Sequence, residues 1–194
     1  DNCGNQDIQT QVIIIEDKTD PVMVGVPANI TVECDVVPDP ASPTATDNCD
    51  PDVEISFAET RTTGTCPDSY TLTRVWTATD NCGNEDIQSQ IIIVQDLTEP
   101  ILTGVPADVT ANCNEIPDPA NPTATDNCDT DVTITFADVT VDGTCPQEYT
   151  VTRTWTATDD CDNTSTASQS IFVDDSTAPV FTSVPTDQTI ECDE

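Results

Sequence analysis

The chain has 194 residues, 37 of them acidic against four basic, with ten cysteines, no histidine and a net charge of -33. That balance excludes nucleic acid and anionic membrane surfaces as partners, and no stretch is long and apolar enough to insert in a bilayer as a helix. Without histidine there is no Ser-His-Asp or Cys-His site, and no close CxxC pair offers a zinc site, so no enzyme activity is expected.

In chain order the first eighteen residues, 1–18, match 80–97 and read as the end of a preceding repeat. Residues 21–34, "PVMVGVPANITVEC", read as an edge strand interrupted at Pro27, which has no N–H to give a ladder. "PTATDN" follows at 43–48. Residues 53–60, "VEISFAET", alternate with Val53, Ile55 and Phe57 on one face. In 69–79, "SYTLTRVWTAT", the residues Tyr70, Leu72, Arg74, Trp76 and Ala78 share one face and threonines line the other. "QIIIVQD" at 90–96 is a last strand, apolar on both faces. Everything then recurs 79 residues on: Cys34 as Cys113, Cys49 as Cys128, Cys66 as Cys145, Cys82 as Cys161, Trp76 as Trp155. This is a tandem array. Complete repeats are expected at 19–97 and 98–176, with the start of another at 177–194. Short strands punctuated by Pro and Gly predict an all-β, immunoglobulin-like sandwich for each repeat. Short proline-stiffened linkers predict a head-to-tail rod.

A repeat of this size and poor in aromatics benefits from covalent staples. Four cysteines allow three pairings. Cys66 and Cys82 flank a strand some 35 Å long, at about 3.3 Å per residue, too far for a bridge. The strand at 53–60 disfavours Cys49 with Cys66 in the same way. The expected pairs are therefore Cys34–Cys66 and Cys49–Cys82, then Cys113–Cys145 and Cys128–Cys161. Disulfides imply an oxidising, extracellular location.

"PTATDN" followed by "WTATDNCGN" at 76–84 and an apolar strand ending in Asp resembles the HYR (hyalin repeat) domain. With its four cysteines the repeat is similar to the HYR-like repeats of large bacterial surface proteins of the Bacteroidetes type. The resemblance implies an immunoglobulin-like fold, a cell-surface place, an adhesive or spacer role and no catalysis. One departure is "DDCDN" at 159–163, where Asp162 replaces the glycine of the turn.

Acids gather around each TATDN motif. Asp47, Asp50, Asp52 and Asp80 are candidate calcium ligands in the first repeat, joined by the linker acids Asp17 and Asp20. Asp126, Asp129, Asp131 and Asp159 are their counterparts in the second, joined by Asp96 and Glu99. Calcium takes six to eight oxygens in flexible geometry. Asp and Asn in turns also commonly bond their own backbone. Arg74 and Arg153 lie on the apolar face, where a cation needs a partner; Glu59 and Asp138 are placed to supply one. Asn29 and Asn163 fit the short N-glycosylation pattern, and Ser176 a short O-glycosylation pattern. Together these features predict a stalk or surface filament that extends an adhesive tip. Its partners are neighbouring repeats of the same chain and identical chains in a filament. The other reading makes each repeat a module that binds surface glycans or protein.

Overall fold

The computed structural model describes residues 2–190 and residue 192, and they divide into two compact units. The first unit takes in the described residues up to Thr98 together with Asn127–Asp129. The second takes in Glu99–Asp126 and the described residues from Thr130 onward. Both are all-β.

In the first unit, β1 (Val22–Val24) pairs antiparallel with β3 (Thr44–Thr46) as a small sheet. A second sheet holds β2 (Ile30–Glu33), β4 (Glu54–Thr63), β5 (Tyr70–Thr79) and β6 (Glu85–Gln95), in the order β2-β6-β5-β4. β2 runs parallel to β6, and the other neighbours are antiparallel. The segment 21–34 thus makes two strands in two sheets. Pro27 and Gly25 interrupt it, and the chain crosses from one sheet to the other there. A short 3-10 turn at Cys34–Val36 ends β2.

The core lies between the sheets. Alternation along β5 buries Leu72, Arg74, Trp76 and Ala78 while the intervening threonines stay half-buried. Met23 of β1 packs on Trp76 and Ala78, with Val53 and Ile55 at the margin. Leu72, Ile92 and Val94 form a second cluster with Val32, Cys34, Val37 and Tyr70 against it. The Trp76 indole N–H donates to the Ala41 carbonyl at 3.2 Å, so the large ring is buried with its polar group satisfied. Phe57 keeps to the expected face, leaning on Trp76 at 5.3 Å between ring centroids, but it is left 46% exposed. β4 is the free edge of its sheet, with no further strand beside it among the described residues. β6 is central, between β2 and β5. Its inward residues are buried, and Ile87, Ile91 and Ile93 point to solvent.

The second unit repeats the plan. β7 (Ile101–Thr103) pairs with β9 (Thr123–Thr125). β8 (Val109–Asn112), β10 (Thr133–Asp142), β11 (Tyr149–Thr158) and β12 (Thr164–Asp174) form a sheet ordered β8-β12-β11-β10. Val151, Ile171 and Val173 make its matching core cluster. The apolar stripe on the outer face of β6 is not repeated. Thr166, Ser170 and Phe172 stand on β12 where Ile87, Ile91 and Ile93 stand on β6. Residues 5–20 make no strand, although they copy β6; Val12–Ile15 are exposed. They lack the ladder neighbours that β5 and β2 give to β6. No helix of the described residues is long and apolar enough to cross a membrane.

Candidate functional site

The two TATDNC copies of the first unit end β3 and β5, and aspartates build the turns that follow. Asp47 Oδ1 accepts from the backbone N–H groups of Cys49 and Asp50 at 2.7 and 3.0 Å. Asp50 is buried; its Oδ1 accepts from Asp52 N and its Oδ2 from Asn81 N at 2.8 Å. That last bond ties one copy of the motif to the other. Asp80 Oδ1 accepts from the N–H groups of Cys82 and Asn84, and its Oδ2 from the Asn84 amide at 2.7 Å. Asp50 and Asp80 thereby spend their oxygens on backbone and amide donors, which is the turn-building role of such residues.

Asp47 differs. Its Oδ2 is buried and has no hydrogen-bond partner. Ligand atoms of Asp17, Asp47 and Cys49 lie within 4.8 Å of one another. The backbone N–H groups of Cys49 and Asp50 hold the Asp47 carboxyl below its ordinary pKa, so it is ionised. Partial desolvation raises the Cys49 thiol although the residue is exposed, and the charges of Asp17 and Asp47 raise it further. A protonated thiol is no ligand for a hard cation, whereas a carboxylate with an orphaned oxygen is. The residues present therefore fit a hard, oxygen-seeking ion through Asp17 and Asp47. Asp20 and Asp52 are exposed and outside this group. At the far end of the unit Glu33 and Asp96 approach within 4.8 Å, and Glu33 Oε2 accepts from Leu97 N.

In the second unit Asp126 and Asp159 approach within the same distance. Asp159 rebuilds the Asp80 turn, accepting from Cys161 N, Asn163 N and the Asn163 amide. The missing glycine does not break that turn. Asp162 takes a left-handed φ of 68°, where Gly83 has 86°. Both turns keep their closing bonds: Asp80 N to Asn84 O at 3.1 Å and Asp159 N to Asn163 O at 3.2 Å. Asp129 is buried, while Glu99 and Asp131 are exposed.

The expected cysteine pairing is corrected by the structure. Cys34 is bonded to Cys128, with Cα atoms 5.8 Å apart and 94 residues between them in sequence. The Cys34–Cys66 pair is therefore absent, and so is Cys128–Cys161. Cys66 and Cys161 are each in a disulfide, and Cys49, Cys82, Cys113 and Cys145 are free thiols. Elimination over strand lengths assumed that the four cysteines of a repeat pair among themselves. Asn127–Asp129 instead sit with the first unit, and they bring Cys128 to the end of β2.

Arg74 is buried, directly opposite Glu59 in the register of β4 and β5. Its Nε donates to Glu59 Oε2 at 2.7 Å and its Nη2 to the Pro38 carbonyl at 2.8 Å. Arg153 makes a two-pronged contact with Asp138, 2.9 Å from each nitrogen, and donates to the Pro117 carbonyl. These arginines hold the 38–43 and 117–122 segments over the core and are not turned to a ligand. Asn29 is exposed, and its Oδ1 accepts from Ile91 N; Ser176 is exposed too. Asn163 has its amide nitrogen engaged by Asp159, so a glycan there would displace the bond that closes the turn.

Residues 95–173 match the family model of the HYR-like domain with 4 cysteines. The HYR-like segment thus runs from the end of β6 almost to the end of β12. No curated protein sequence matches the chain. Among solved structures, Drosophila N-cadherin EC1-4 is 12% identical with a TM-score of 0.35, over 81% of this chain and 50% of that one. The human desmocollin-1 ectodomain is 11% identical with a TM-score of 0.32, over 82% and 42%. The tandem Ig repeats of Dlar are 14% identical with a TM-score of 0.27, over 79% and 97%. The chain thus spans half or less of the N-cadherin and desmocollin-1 chains.

Proposed function

We propose that the chain is part of an extracellular structural array, the stalk or filament of a surface adhesin, braced by disulfides and stiffened by calcium at its acidic loops. The Cys34–Cys128 bond carries this reading, because it ties a residue of one 79-residue repeat to a residue of the next. In the chain-entropy description, closing a loop of that length contributes roughly 4–5 kcal/mol. A bond between repeats suits a load-bearing element. Disulfides also suit an oxidising, extracellular compartment.

Calcium is supported by Asp17 and Asp47, whose carboxylates converge beside a buried oxygen that lacks a donor. An anionic oxygen left so is costly unless a cation joins it, and carbonyls and water complete a calcium sphere. When bound, the ion supplies positive charge between acids that otherwise repel. Thermal unfolding of the oxidised chain tests this. Millimolar calcium is expected to raise the melting temperature by several degrees, chelator to reverse it, and Asp47→Asn to remove most of the response. No shift with calcium would remove the ion from the account and leave the disulfide brace standing.

The module reading has one observation in its favour. A groove of about 390 Å³ is lined by Pro40, Pro43, Ile55, Phe57 and Trp76, with Phe57 largely open to solvent. Exposed aromatics are common in binding surfaces. Binding on a glycan array that is lost in Phe57→Ala would favour that reading over the stalk.

A further inference from the structure

Each sulfur of the Cys34–Cys128 bond has an unbonded counterpart 79 residues away. Cys113 stands where Cys34 does, and Cys49 where Cys128 does. The surroundings match as well. Cys34 follows β2 and packs beside Val32 and Tyr70 on the Leu72, Ile92 and Val94 cluster. Cys113 follows β8 and packs beside Ala111 and Tyr149 on the Val151, Ile171 and Val173 cluster. Cys128 Sγ accepts from the Asn127 amide at 3.2 Å, and Cys49 Sγ from the Asn48 amide at 3.1 Å. The main difference is cover: Cys128, which has its partner, is half-buried, and Cys49 is exposed. Two preformed halves of one bond are therefore present, each without the other half.

We infer that Cys113 and Cys49 are covalent docking sites for another repeat of this same kind: Cys113 bonds a cysteine of the Cys49 class, and Cys49 bonds one of the Cys113 class. Cross-repeat bonding is then a rule of the array, not a peculiarity of one pair. The partner is a repeat of this same 79-residue kind that presents the complementary half, and a second copy of this chain supplies one. In the bonding step the two thiols lose two protons and two electrons as the S–S bond forms. A low-molecular-weight disulfide takes up both and leaves as two thiols. The register is directional. A Cys113-type end meets a Cys49-type end, which is a heterologous, head-to-tail contact.

The test uses the whole 194-residue chain, concentrated with oxidised and reduced glutathione in the presence of chelator, so that no cation contributes. Covalent oligomers are expected on a non-reducing gel, and an Asp-directed protease map is expected to recover a Cys49–Cys113 peptide. Cys113→Ser and Cys49→Ser each abolish that peptide in isolation. With Cys192 replaced by serine in both, since it shares the 79-residue step with Cys113 and is also free, the two variants mixed together restore it as a single covalent heterodimer. Recovery of Cys49–Cys82 or Cys113–Cys145 within one chain overturns the inference. So does full alkylation of Cys49 and Cys113 after oxidation. If the unmodified chain yields no Cys34–Cys128 peptide, the premise falls with it.

Discussion

At the scale of single residues, the acids divide by what their oxygens do. Asp50, Asp80 and Asp159 accept from backbone and amide groups and hold turns together, while Asp47 keeps one oxygen unclaimed. A dependence on pH follows. Asp47 titrates below its ordinary range because two backbone N–H groups hold its charged form. At Asp80 burial pushes the pKa up but is outweighed by the Asn84 side chain and the backbone N–H groups of Asn84, Cys82 and Gly83, so the net shift is also downward. A carboxyl with a lowered folded pKa contributes stability above its unfolded value, near 3.9, and loses it as pH falls through the folded value. Urea midpoints measured from about pH 6 down to about pH 2.5 are expected to be flat at first and to fall below about pH 4. Asp80→Asn lowers the plateau and makes the fall shallower. A midpoint that rises on acidification would contradict the assignment. Little of this division was legible beforehand. The sequence places all these acids near one another, but which oxygen faces which N–H depends on turn geometry that composition does not encode. The Arg74–Glu59 contact is different, because period-two alternation on adjacent strands is enough to bring the two together.

At the scale of elements, the long strands were readable because alternation is a strong signal over ten residues, as along Tyr70–Thr79. The short ones were not. β3 and β9 are three residues each, too brief for a period to register. The exposure of Phe57 was not readable either, since alternation assigns a side but not whether anything covers it. The turn before β12 yields a prediction. Asp162 occupies a left-handed conformation that costs a residue with a Cβ about 1 kcal/mol or more, less for Asp than for most. Asp162→Gly copies Gly83 and is expected to stabilise the chain by roughly 0.5–1 kcal/mol in chemical denaturation, with an unchanged denaturant slope. Asp162→Val is expected to destabilise by more than that. A neutral glycine variant would mean that the aspartate is already relaxed there.

At the scale of the whole molecule, the 79-residue step gave the repeats, and the assumption that a repeat is a closed chemical unit misplaced the sulfur bridges. Nothing in the spacing of four cysteines distinguishes a bond inside a repeat from one to its neighbour, because the step supplies the same residues in every repeat. Only the placement of Asn127–Asp129 with the first unit decides it. The central claim is that consecutive repeats are joined by sulfur. It is tested most directly by a disulfide map of the monomeric, oxidised chain, with thiols blocked before proteolysis. The expected result is a Cys34–Cys128 linkage, with Cys49, Cys82, Cys113 and Cys145 recovered in blocked form. Recovery of Cys34–Cys66 together with Cys49–Cys82 would close each repeat on itself and contradict the account.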